Sequence, residues 1–130
     1  MKENYAVATK FVGGQVPDDV LQFVWTGVSG DELPSGIDLM VYDMALDLSS
    51  PGSAIMQLQK AVDAQINGRF DAETQHAVET SYNLAVLVNL WSVQAAYYRA
   101  LPRFEEYGAD WLMRAAKRLQ ASLNLALPAS

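Results

Sequence analysis

The sequence predicts an all-α fold, a compact bundle of five to seven helices with room for one small hairpin-like turn near residues 66–70. Three observations carry that reading. Ile37, Met40, Val41, Met44 and Leu48 recur at helical spacing along one face. Tyr82 to Leu101 is apolar nearly all round until Pro102 stops it, which makes it the expected central helix. Between them lie two restart signals, Ser50 followed by proline at the first helical position and Asp71 three residues ahead of Thr74.

In chain order, residues 3–12 read as a short first helix stopped by Gly13-Gly14. Pro17-Asp18-Asp19 opens a second towards Trp25, closed by Gly27 and Gly30. The third runs over 35–48, with Asp43 and Asp47 one turn apart beside its apolar stripe. After Ser50, the residues Ala54, Ile55, Leu58, Ala61 and Val62 give the fourth helix its buried face. Asn67-Gly68 marks a tight turn between Ile66 and Phe70, and Asp71 caps a short helix through Glu79. Gly108 precedes a last helix from Ala109 to about Leu125. Trp111, Leu112, Ala115, Leu119 and Leu123 form its inner face, while Arg114, Lys117 and Arg118 are expected to point mostly outward.

A chain of 130 residues is about one domain's worth and can bury roughly two-thirds of its unfolded surface. Hydrophobic residues make up 51% of it, too many for a disordered chain. With no cysteine, disulfide scaffolds, thiol nucleophiles and thiolate metal sites are excluded together. The single histidine, His76, cannot build a multi-histidine metal site, and Asp43 with Asp47 lack the loop that a divalent cation needs. No cofactor is expected. A net charge of −6 has the wrong sign for direct nucleic-acid binding. The charge is also uneven: residues 11–59 hold seven acids and no Lys or Arg, whereas residues 80–130 hold five bases and three acids. Lys2-Glu3 and Lys10 spoil any signal peptide, and polar residues interrupt the one apolar span, so a cytoplasmic protein without a membrane segment is expected. Three tryptophans and six tyrosines leave room for a homodimer interface.

Three stretches resemble a known family. Trp25, then Asp31-Glu32-Leu33-Pro34-Ser35-Gly36-Ile37-Asp38, then Tyr42-Asp43-Met44-Ala45, is similar to a segment of the phage-type N-acetylmuramidases, glycoside hydrolase family 108. Leu58-Gln59 followed by Ile66-Asn67-Gly68-Arg69-Phe70-Asp71-Ala72-Glu73-Thr74 resembles that family's C-terminal peptidoglycan-binding domain. Tyr97-Tyr98-Arg99-Ala100-Leu101, Tyr107-Gly108-Ala109-Asp110-Trp111 and Arg114 resemble its closing pattern. The resemblance implies a muramidase remnant over residues 1–48 and a peptidoglycan-binding-like helical domain over 49–127, packed as one unit.

The departures bear on function. The family carries its acid catalyst in a Glu-Gly-Gly-Tyr motif well ahead of the Trp segment. Here the nearest echo is Val12-Gly13-Gly14-Gln15, with valine in the glutamate's place. Cleaving a glycosidic bond requires a carboxylic acid to protonate the leaving oxygen, and valine has no proton to give. Glu3, in the first turn of the chain, is a poor substitute. The resemblance therefore implies a phage or prophage relative that is not an enzyme. A residual enzyme would need an unrecognised pair of carboxylates.

Two kinds of site follow. Sugar rings need aromatic faces, and their hydroxyls and peptide carboxylates need planar donors. Asn67, Arg69, Tyr98, Arg99, Trp111 and Arg114 are the candidate glycan- or peptide-binding residues, against the plainer reading of Tyr98 and Trp111 as core. Alternatively, Asp18, Asp19, Asp31, Glu32, Asp43 and Asp47 present an acidic face to a basic partner. The expected partner is thus peptidoglycan or a basic host protein, such as a nucleic-acid-handling defence complex of the CRISPR type.

Overall fold

The computed structural model describes residues 2–127 and is all-α, with no strand among them. Its helices are α1 (Lys2–Val12), α2 (Asp18–Gly27), α3 (Ile37–Leu48), α4 (Pro51–Val62), α5 (Ala72–Glu79), α6 (Asn83–Arg99) and α7 (Phe104–Ala126). A single 3₁₀ turn, Gly30–Glu32, follows α2. No helix among the described residues is long and apolar enough to cross a membrane.

The caps form as the sequence dictates. Ser50 Oγ accepts from the Ser53 N–H at 3.1 Å, with Pro51 at the first helical position of α4. Asp71 Oδ1 accepts from the Thr74 N–H at 3.0 Å to start α5. Each cap satisfies a backbone donor that the helix itself leaves unpaired.

The central element is α3, not the expected α6. Every residue from Ile37 to Ala45 is buried, and α3 packs against α1, α2, α4, α6 and α7. Helix α6 buries one side only, and Val88 and Tyr97 on it are exposed. The inversion has a physical cause. Asp38 and Asp43 made α3 read as half solvent-facing, but both acids are buried on partners. Asp38 accepts the N–H groups of Gly36 (2.9 Å) and Leu39 (2.7 Å) and the Asn4 amide (3.1 Å). Burial pushes its carboxyl pKa up, and these three donors pull against that rise.

Two further readings are corrected. Residues 66–70 form a loop without strands. Gly108 does not precede the last helix but lies buried inside it, because α7 already starts at Phe104. A side chain at position 108 would meet the Phe104 ring at 2.6 Å, so that close approach outweighs the glycine's poor helix propensity.

One core runs across the boundary at residues 48 and 49, joining Trp25, Ile37, Met40 and Tyr42 to Ile55, Leu58, Leu87 and Leu90. An aromatic trio marks its α1–α3 end. Trp25 meets Tyr42 edge-on at 5.1 Å and Tyr5 at 5.6 Å, and the Trp25 indole N–H donates to Asp31 Oδ1 at 3.0 Å. The α3 N-terminus is fixed by Gly36, which adopts φ +96°. A Cβ there would sit 2.4 Å from the Ser122 carbonyl on α7. Gly36→Ala should therefore cost at least about 2 kcal/mol, adding left-handed strain to a forced backbone shift. Gly14→Ala, in open space, should change stability by less than about 0.5 kcal/mol. Urea unfolding of both variants checks this, and similar losses at the two positions would contradict the packing described.

Candidate functional site

A matched pair of ladders joins α3 to α7. Asp43 and Asp47 stand one turn apart on α3, and Arg114 and Arg118 one turn apart on α7. Arg118 Nε donates to Asp43 Oδ2 at 2.6 Å, and its NH2 bonds Asp47 Oδ2. Arg114 NH2 donates to the second oxygen of Asp43 at 2.8 Å. The remaining Arg118 nitrogen donates to Gln94 Oε1 on α6 at 3.0 Å. The side chains of Arg118 and Asp43 are both 0% exposed.

Two carboxylates and two guanidiniums make the cluster neutral, and burial without that pairing would be prohibitive. Burial opposes the charge on Arg118, yet the carboxylates, Asp43 foremost, hold its pKa above the ordinary value. Burial likewise pushes the Asp47 carboxyl up, while Arg118 pulls it back.

Three sequence expectations are corrected here. Asp43 does not belong to an acidic partner surface, Arg118 does not face outward, and Asp47 is turned towards Arg118 with 34% of its side chain exposed. The helical period places a polar residue outward by default and cannot see a partner 71 to 75 residues away. One signal was available. Like charges at i and i+4 repel in an isolated helix, and the Asp43/Asp47 pair and the Arg114/Arg118 pair, of opposite sign and equal spacing, complement each other. By contrast Asp18, Asp19, Asp31 and Glu32 are exposed, and Asp31 accepts the Trp25 indole bond.

In front of this cluster opens a groove of about 410 Å³ between the C-terminal ends of α3 and α6 and the first half of α7. Tyr97, Tyr98, Trp111, Asp47, Asp110 and Arg114 line it, over Leu48 and Leu101. Tyr98 is buried, so it serves the core and the groove together. Its ring lies 5.8 Å from Tyr97 and 5.9 Å from Trp111, and its hydroxyl approaches Asp47 Oδ2 at 3.4 Å. Arg114 keeps 43% of its side chain exposed and lies over the Phe11 ring at 5.4 Å. Of the six candidate glycan-binding residues, Tyr98, Trp111 and Arg114 converge here. Sequence reasoning missed Asp47 and Asp110 as members of the groove. The spacing of Asp110, Trp111 and Arg114 on one helix face was the usable signal.

The other three candidates lie elsewhere. Arg99 is exposed and faces a separate depression beside Trp91 and Leu112. Arg69 is exposed, and its guanidinium makes no hydrogen bond among the described residues. Asn67 is committed to the loop that carries it. Buried Gln59 donates to Asn67 Oδ1 (2.8 Å), to the Arg69 carbonyl (2.9 Å) and to Thr74 Oγ1 (2.9 Å). Its own oxygen accepts the N–H groups of Asn67 (2.9 Å) and Gly68 (3.0 Å). Asn67 Nδ2 in turn donates to Asp71 at 2.9 Å. That bond, followed by those from Thr74, lowers the Asp71 pKa to about 2. The loop is thus built around Gln59, and its polar side chains are spent on holding the turn. Among the described residues no group of three or more His, Asp or Glu is placed to hold a metal ion.

No family model matches the chain, and neither does any curated protein. Among solved structures, that of Brucella abortus SagA shares the fold. It superposes with a TM-score of 0.81 at 25% sequence identity, over 95% of this chain and 78% of SagA.

The buried cluster makes a sharp stability prediction. Asp43→Ala should cost about 3–5 kcal/mol, because Arg118 is left buried without its fully buried partner. Replacing the pair together, Asp43→Leu with Arg118→Met, should cost clearly less than the sum of the two single changes. Denaturant unfolding of the three variants measures the coupling; strictly additive losses would contradict the pairing.

Proposed function

We propose that the protein is a non-catalytic binding module for cell-wall glycan, related to the phage-type muramidases. The observation that carries this reading is the groove, in which Tyr97, Tyr98 and Trp111 meet Asp47, Asp110 and Arg114. Aromatic faces stack on the C–H faces of sugar rings, and carboxylates with a guanidinium bond hydroxyls and peptide carboxylates. Its volume falls within the range of about 300–1,000 Å³ usual for small-ligand sites. Catalysis has less support. Glycoside cleavage calls for an acid free to give its proton to the leaving oxygen, whereas one oxygen of Asp47 is engaged by buried Arg118. Glu3 is exposed in the first turn of α1, and Val12 ends that helix. The motifs quoted above support this origin.

Purified sacculi should retain the protein, and zymograms should show no clearing. Trp111→Ala should weaken retention about tenfold or more, by losing a stacking face, while circular dichroism verifies that the variant is folded. A lytic band, or retention unchanged by the substitution, would overturn the proposal.

A second reading, an acidic inhibitor of a basic host protein, is favoured by one feature of α2. Phe23 is 71% exposed, and Val20 beside it is exposed as well. Exposed Asp18 and Asp19 precede them in the first turn. A large apolar side chain rimmed by acids suits a partner with an apolar pocket and a basic border. Under this reading affinity purification from host lysate recovers one stoichiometric basic protein. Phe23→Asp, and separately Asp18→Lys with Asp19→Lys, should each abolish its recovery, and capture indifferent to both would remove this reading.

A further inference from the structure

The groove carries more than a generic sugar site would need. Its charges can be counted. Asp43 and Asp47 balance Arg114 and Arg118, so the only further charged residue lining the groove, Asp110, is left over. Asp110 is exposed and makes no hydrogen bond or ion pair among the described residues. Asp47 binds Arg118 and the Tyr98 hydroxyl through Oδ2, and its Oδ1 likewise has no partner among them. Arg114, the groove's own cation, is held by Asp43 at 2.8 Å and lies over Phe11. The site therefore offers one uncompensated negative charge and two carboxylates with unused lone pairs. Beside them Tyr97, Tyr98 and Trp111 form a continuous aromatic wall with ring centroids 5.8 and 5.9 Å apart. The Tyr107 ring lies 6.0 Å from Trp111, tilted 33° to it.

Carboxylates set against π-faces select a cation over a neutral group, since both attract positive charge from different directions. A primary ammonium suits them best. Its three N–H donors can serve both acids and leave one for water, whereas a quaternary ammonium would leave the lone pairs unused. We infer that the groove recognises a primary ammonium group on its cell-wall ligand. Two sources carry that chemistry, a de-N-acetylated amino sugar and the free side-chain amine of a stem peptide. The inference rests on the reading of the groove as a cell-wall site and specifies what the ligand must carry.

Calorimetric titration with two pairs of soluble probes tests it, using the full chain at a pH where the amines are protonated. One pair is the glucosamine tetramer against the N-acetylglucosamine tetramer. The other is the N-acetylated tetrapeptide N-acetyl-L-alanyl-γ-D-glutamyl-L-lysyl-D-alanine, whose lysine carries the sole amine, against its Nε-acetyl-lysine form. At least one free-amine probe should bind about tenfold more tightly than its acetylated counterpart, the size of a cation–π contact joined to a charge pair. The pair that discriminates identifies the source. Asp110→Asn, at an exposed position, should shrink that ratio to about twofold or threefold, because it weakens the free-amine probe more than its acetylated counterpart. Equal binding within both pairs, or a ratio untouched by Asp110→Asn, overturns the inference. Acetylated probes that bind as well as the free amines would do so while leaving glycan binding intact. Retention on sacculi with no binding of any soluble probe also counts against the ammonium. Failure of the probes and of sacculi together removes both readings.

Discussion

The contact between Asp43 and Arg118 fixes how α7 sits on α3, and the candidate site exists only because of that placement. Two fully buried ions of opposite sign have strong angular demands, since each must also satisfy its remaining donors or acceptors. Arg118 does so by spreading its nitrogens over Asp43, Asp47 and Gln94, which belong to two helices. An apolar pair of similar volume would tolerate a sliding or rotated α7. The guanidinium does not, because a shift of one residue would carry it off both acids. This is the registry role that buried polar clusters best fill. Arg114 repeats the contact one turn nearer the N-terminus of α7, so two adjacent turns lock in the same register.

The residues on which the muramidase resemblance stands divide along this line. Trp25 and Asp31 bond each other, Asp38 holds the Gly36 corner, Gln59 and Asn67 build the loop, and Asp43 binds the arginines. All of these shape the chain; none is a free group in the groove. A likeness in such residues bears on architecture and not on what the groove binds. Tyr98, Trp111 and Arg114 are the members of the same pattern that reach the groove, so only there can the resemblance touch binding.

Much of the fold was legible because helices announce themselves locally. Ser50-Pro51 and Asp71 act within four residues of themselves, and the sequence displays both partners of each contact. The centre of the bundle was not legible, for the opposite reason. Buried acids at Asp38 and Asp43 look in one dimension like a solvent face, and their side-chain donors lie on α1 and α7. Helix α6 misled in the other direction, since an apolar surface on it does not have to be covered. The groove was half legible. Its aromatic residues and Arg114 fall in one stretch of sequence, but Asp47 enters from α3, at a distance that no local pattern spans.

Asp47 joins scaffold and site in one side chain. One of its oxygens is tied to buried Arg118, and the other remains available in the groove. Tyr98 has the same double role, with its ring in the core and its hydroxyl at Asp47. A ligand that bonds the open oxygen of Asp47 pulls on a group already fixed by the ion pair, so little side-chain entropy remains to be lost on binding. Trp111 and Asp110 sit on the same rigid helix as Arg118, which extends that preorganisation to the opposite wall. The buried arginine therefore sets the spacing between the acid on α3 and the aromatic wall on α6 and α7. Geometry at the mouth of the groove follows from charge neutralisation at its back.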